Sequence, residues 1–126
     1  MHELRIPTRW TDFDALGHLT HAAYPVLLDE ARDVFLTVRV GPFAAWPTVI
    51  AHLSVDFRHE IRHPAAEVTV RTQVVAVGRT SITFEQQVLV PGDEVAALAR
   101  AVVVAWDPEA REGREIDDGD RAALEA

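Results

Sequence analysis

One stretch of this chain repeats its apolar residues at the helical period, and the stretches that follow repeat them at the strand period. Between about His21 and Val38, the residues Tyr24, Leu28, Ala31, Phe35 and Val38 recur at steps of three and four, so they line one face of an amphipathic helix. Beyond it, "TVIAHLSVDFRHEI" alternates. Val49, Ala51, Leu53, Val55 and Phe57 point one way and His52, Ser54, Asp56 and Arg58 the other, which describes a long strand with one buried face. "EVTVRTQVVAV", "TSITFEQQVLV" and "EVAALARAVVVAW" keep the period of two and are joined by "GR" and "PGD", connections that read as antiparallel hairpins. A first strand comes from Leu4 and Ile6 in "HELRIPTRW", where Pro7 marks an edge or an end. The pattern predicts an α+β domain in which one helix covers one face of an antiparallel sheet.

A chain of 126 residues suits one domain, residues 1–126, and buries roughly two thirds of the surface that its unfolded form exposes. One helix cannot cover both faces of such a sheet. The other face, or an edge, is expected to meet a second subunit, because Ile50, Ile82, Phe84 and Val104 remain to be covered. The tail, residues 113–126 with "DDGDRAALEA", reads as a short C-terminal helix or a frayed end. There is no cysteine, which excludes disulfides, thiolate metal sites and a cysteine nucleophile and fits a reducing cytoplasm. No uncharged apolar run approaches about 18 residues, and no basic segment followed by an apolar one opens the chain. A cytoplasmic protein with no membrane partner is expected. A net charge of −8 argues against nucleic acid as a partner.

Chemistry concentrates in "RWTDFDALGHLTHAAY", Arg9 to Tyr24. Asp12 and Asp14 can hold loop amides in Asx turns, with Gly17 allowing a sharp bend. The alternative is that a carboxylate just before a helix start lies beside backbone amides and a positive dipole end, an arrangement able to polarise a carbonyl oxygen. Thr20 is the expected helix cap, and Pro25 lies early enough for its missing N–H to cost little. His18 and His21 raise a metal site as a third reading, but no second chelating cluster follows. Serine chemistry has no GxSxG to stand on. On the residues alone the turn leads, the enzyme follows and the metal comes last.

Two further groups carry charge. In "LLDEARD", Asp29, Glu30 and Asp33 read as a solvated helix face with a surface pair between Asp29 and Arg32, and a carboxylate turned into a cleft there is the reserve candidate for a base. Arg58, His59, Arg62 and His63 form the most basic patch, and Arg79 sits in a hairpin with Thr80 and Ser81. Guanidinium groups of this kind suit a phosphate-bearing ligand.

"RWTDFDALGHLTHAAYPVLLDEARDVFL" resembles the opening signature of the 4-hydroxybenzoyl-CoA thioesterase-like branch of hot-dog acyl-CoA thioesterases. The resemblance runs through Arg9, Asp12, Asp14, Gly17, His18, His21, Tyr24, Glu30, Ala31 and Arg32, and "VGRTSITFE" and "ALARAVVVAWD" extend it along the chain. It implies a five-stranded antiparallel sheet wrapped around one long helix, and homodimers or homotetramers with active sites between subunits. It further implies hydrolysis of an acyl-CoA thioester, with Asp14 as nucleophile or general base and His21 in support. Amides at Thr20, His21 and Ala22 would hold the thioester oxygen, and Asp12, Gly17 and His18 would keep the loop in shape. Arg58, His59, Arg62 and Arg79 would bind the coenzyme A phosphates, and Tyr24, Leu28 and Phe57 would line the acyl pocket. Neither a metal nor a cofactor is implied. Two departures stand out: Thr20 and His21 where many relatives have asparagines, and "EIRHPAAEV" where the usual turn carries a glycine. Two rival functions remain, a non-catalytic acyl-CoA-binding module and an enoyl-thioester hydratase. The hydratase pattern has Asn-Pro after its aspartate, which "DALGHLTH" lacks.

Overall fold

The computed structural model describes residues 1–126. Strand β1 (His2–Pro7) leads through a 3₁₀ turn at Trp10–Asp12 to helix α1 (Ala23–Arg39). Strands β2 (Thr48–Phe57), β3 (Glu67–Val77), β4 (Ser81–Val90) and β5 (Glu94–Asp107) follow, then a short β6 (Glu112–Gly113) and helix α2 (Asp118–Glu125). The sheet runs in the order β1-β3-β4-β5-β2, and β6 pairs with β5 as a two-residue extension. All neighbours are antiparallel, as the short connections require. The β4–β5 turn places Gly92 and Asp93 at φ of 95° and 64°, left-handed positions that glycine and aspartate tolerate best. This is the hot-dog arrangement, with β2 left as an edge strand.

Helix α1 packs on the inner face of the sheet. Leu27, Leu28 and Ala31 meet Val68, Val70, Val88 and Ala97, while Phe35 and Leu36 meet Ile82, Phe84, Val103 and Leu124. Phe35 and Phe84 stand edge to face at 5.6 Å, the arrangement aromatic quadrupoles favour. Ile82 and Phe84 were expected on the uncovered face and instead lie wholly buried beneath the helix. A period of two shows which residues share a face but not which face the helix takes. Of the four residues expected to await a partner, Ile50 is 55% exposed and Val104 is half-buried.

Strand β2 departs from strict alternation. Val49 pairs with Val104 and Ile50 with Val103, but the register shifts at Ala51, so that His52 pairs with Val102 and Leu53 with Ala101. Paired residues share a face, which puts Ile50, Leu53 and Val55 on the inner side and turns Val49 outward. The extra residue of a β-bulge produces this change of phase.

Helix α1 begins at Ala23, two residues later than the periodicity suggests. The Thr20 amide donates to the Asp12 carbonyl at 2.8 Å, and the Thr20 carbonyl, not its hydroxyl, accepts from Ala23 at 3.0 Å. No side chain caps this end. At the other end Val38 is 68% exposed, so the buried stripe closes on Phe35 and Leu36. The tail resolves as a helix, α2, capped by Asp117 Oδ1 accepting from the Asp120 amide at 2.7 Å.

Arg32 was expected on the surface and is buried among core residues. Its Nη1 donates to Gln86 Oε1 at 2.8 Å, and Gln86 Nε2 donates to the Leu28 carbonyl and to Thr72 Oγ1 at 3.0 and 3.1 Å. Its charge partner, Asp29 Oδ1, lies 3.5 Å away on the surface, and burial pushes the guanidinium pKa down. Replacing Gln86 by Leu strips an acceptor from a buried cation and is expected to cost about 2 kcal/mol in urea unfolding, within the range for an unsatisfied buried polar group. Adding Arg32→Met is expected to recover part of that loss. A double variant as unstable as the sum of the two single variants would contradict the coupling.

Candidate active site

Between the 3₁₀ turn and α1 the chain makes a tight loop held by its own aspartates. Asp12 is buried; Oδ2 accepts from the Arg9 amide at 2.7 Å and Oδ1 from Arg9 Nη2 at 2.9 Å. Burial raises its pKa, but the side-chain and backbone hydrogen bonds from Arg9 and its charge outweigh this and leave the carboxyl below the ordinary value. A lowered carboxyl stabilises the fold above the ordinary carboxylate range, and that contribution is lost as pH falls through the lowered value. Asp12→Asn is therefore expected to flatten the acid limb of the stability profile, read by thermal melts at stepped pH.

Asp14 is exposed, and its Oδ1 accepts from the Leu16 and His18 amides at 2.9 and 3.1 Å. Its own amide donates to the His18 carbonyl at 2.9 Å, and its carbonyl accepts from Gly17 at 3.0 Å, with Gly17 at φ 75°. Oδ2 has no partner within the chain. The β2–β3 connection anchors the loop from below, with the Leu19 amide donating to the Ile61 carbonyl and the His63 amide to the Gly17 carbonyl, both at 2.7 Å.

At the start of α1 the three candidate amides differ. Thr20 N–H is committed to Asp12, whereas the N–H groups of His21 and Ala22 find no acceptor in the chain. Two unpaired amides at the positive end of a helix form an anion-binding corner. Such a corner can hold the oxygen of a polarised carbonyl.

Beside it lies a cleft of about 310 Å³ lined by His18, Leu19, His21, Tyr24, Phe57, Arg58, His59 and Glu60. Tyr24 and Phe57 stand edge to face at 4.9 Å across its floor, and burial pushes the Tyr24 hydroxyl pKa up. Leu28 is sealed in the core and has no face on the cleft. Arg58 and His59 are held there by amides that both donate to the Ala96 carbonyl. Arg62 Nε lies 3.7 Å from Glu60 Oε1. Arg79 sits at the opposite end of β3, paired with Glu115 at 2.9 Å, so one chain does not bring it to the loop. Asp29, Glu30, Asp33 and Arg32 line a separate cleft of about 380 Å³ farther along α1. No three His, Asp or Glu side chains converge as metal ligands would.

Sequence reasoning missed Glu60, whose Oε2 lies 2.6 Å from His18 Nε2. The pair spans two segments that only the fold joins, and neither residue type signals it.

Residues 8–124 match the model of the thioesterase-like superfamily. No curated protein matches the sequence, but solved structures do. A predicted thioesterase from Bacillus stearothermophilus is 26% identical, with a TM-score of 0.87 over 97% of this chain and 92% of that one. A thioesterase from Thermus thermophilus, complexed with coenzyme A and zinc, is 25% identical, with a TM-score of 0.86 over 97% and 90%. A DHNA-CoA thioesterase from Staphylococcus aureus shares the fold at 18% identity, with a TM-score of 0.83 over 91% and 80%. With the family model spanning nearly the whole chain and a hot-dog fold to match, this protein belongs to the thioesterase-like superfamily and is a thioester hydrolase.

Proposed function

We propose that the protein hydrolyses an acyl-CoA thioester at the loop before α1. The observation that carries this reading is that one short loop holds the unpaired amides of His21 and Ala22 and the Asp14 carboxylate, whose Oδ2 is free. The amides take the thioester oxygen as it gains charge, and the Asp14 carboxylate acts as nucleophile or general base. His21, at the same corner, supports them. Arg58 and His59 line the cleft and Arg62 lies 3.7 Å from Glu60 on its wall, where cations suit the phosphates of coenzyme A, the ligand held by the Thermus thermophilus relative. Tyr24 and Phe57 offer apolar surface to the acyl group.

A second copy of the chain completes the site. Edge strand β2 leaves its outer hydrogen-bonding groups unpaired, and Ile50 and Phe57 lie exposed along it, the arrangement of a strand that pairs with another. Sedimentation is expected to give at least twice the 14.0 kDa chain mass; a monomer at micromolar concentration would contradict it.

The activity is tested by incubating the protein with straight-chain, branched and aromatic acyl-CoAs and following release of free thiol. Release from at least one class is expected. Tight binding of an acyl-CoA by calorimetry with no thiol released from any would favour a carrier or sensor instead.

A further inference from the structure

We propose that His18, oriented by Glu60, is the base that activates water in this reaction, leaving Asp14 as the group that attacks the thioester. The inference rests on the thioester-hydrolase reading above and assigns the proton chemistry of the same site.

Glu60 Oε2 lies 2.6 Å from His18 Nε2. A carboxylate only accepts, so in the neutral imidazole Nε2 carries the hydrogen and Nδ1 presents its lone pair. Arg62 Nε steadies the other oxygen of Glu60 from 3.7 Å. The His18 ring lines the same cleft as His21 and the start of α1, and its Nδ1 has no partner within the chain. Asp14 adjoins that cleft through His18, whose amide donates to its Oδ1 at 3.1 Å; Oδ1 also takes the Leu16 amide, so only Oδ2 is left to act on a substrate. The backbone that holds the Asp14 carboxylate therefore belongs to the residue whose side chain faces the cleft. A base with an orienting carboxylate on one side and an open nitrogen on the other is the arrangement that general-base catalysis needs.

The reaction then divides into two steps. Asp14 Oδ2 bonds to the thioester carbon, the oxygen gains charge against the His21 and Ala22 amides, and the C–S bond breaks to release the thiolate. The product of this step is a mixed anhydride on Asp14. In the second step His18 Nδ1 takes a proton from water as the water oxygen bonds to the acyl carbon. The C–O bond to Asp14 breaks, the aspartate leaves with its electron pair, and His18 returns the proton to solvent. Asp14 and His18 are catalytic residues in this scheme, and Glu60 is a positioning residue.

The test uses the full-length protein and the acyl-CoA it turns over fastest. His18→Asn is expected to release about one thiol per chain in a burst and then stall. Its intact mass should rise by one acyl group located on the peptide containing Asp14, and its steady rate should fall by about 10² to 10⁴. Glu60→Ala is expected to lower kcat with KM unchanged and to remove the Nε2–H tautomer signature of His18 from the ¹⁵N imidazole spectrum, an effect that a purely structural role would not produce. The His18 and Glu60 side chains are 38% and 42% exposed, so melting curves should stay close to that of the wild type. Wild-type turnover in both variants overturns the proposal, as does a slowed His18→Asn with neither burst nor adduct. A wild type inert toward every acyl-CoA would instead contradict the hydrolase reading on which the proposal depends.

Discussion

Asp14→Asn is expected to lower kcat on acyl-CoA by about 10² to 10⁴ while leaving KM close to the wild-type value. The substitution separates chemistry from architecture. An asparagine Oδ1 can still accept from the Leu16 and His18 amides, the two bonds that shape the loop, so the backbone needs no rearrangement. What disappears is the free, charged Oδ2, which either attacks or takes a proton. The melting temperature should therefore hold while turnover collapses, and steady-state thiol release at saturating substrate measures the difference. A variant with undiminished kcat would remove Asp14 from the mechanism.

Ala22→Pro is expected to cost about 10² to 10³ in kcat, the usual loss when one oxyanion donor is removed. Ala22 has φ of −67°, which is the value a proline ring imposes. Its N–H has no acceptor in the chain, so folding loses no hydrogen bond when the hydrogen is deleted. The donor matters only once a substrate oxygen sits against it. Stopped-flow thiol release checks the rate, and circular dichroism at 222 nm checks that α1 still forms. Full activity with an intact helix would move the oxyanion site elsewhere.

The strands, the single long helix and their antiparallel joins were legible because periods of 3.6 and 2 survive in the sequence. What the periods could not supply was anything decided by a distant partner. The start of α1 is set by the bond from the Thr20 amide to the Asp12 carbonyl, and no local signal distinguishes that from a side-chain cap. The bulge at Ala51 reverses the facing of Val49 and Ile50 although the apolar string around it looks unbroken. Arg32 reads as one more charge on a charged helix until Gln86, on β4, supplies its buried acceptor.

The loop before α1 was legible as a place but not in its division of labour. Asp12, Asp14 and Gly17 share the tight loop that leads into α1. Glu60 comes within 2.6 Å of His18 because the β2–β3 connection passes beneath the loop and bonds to Gly17 and Leu19. The departure of "EIRHPAAEV" from the usual turn was visible in the sequence, but its partner was not. Arg79 shows the converse: it resembles the other basic residues in type and lies at the far end of β3.

The most direct test of the site is a structure with an acyl-CoA analogue in which a ketone methylene replaces the thioester sulfur. Its carbonyl oxygen is expected to lie about 3 Å from the His21 and Ala22 amides, with the carbonyl carbon facing Asp14 Oδ2. A carbonyl bound away from the start of α1, in the cleft beside Arg32 and Asp33 for example, would contradict it.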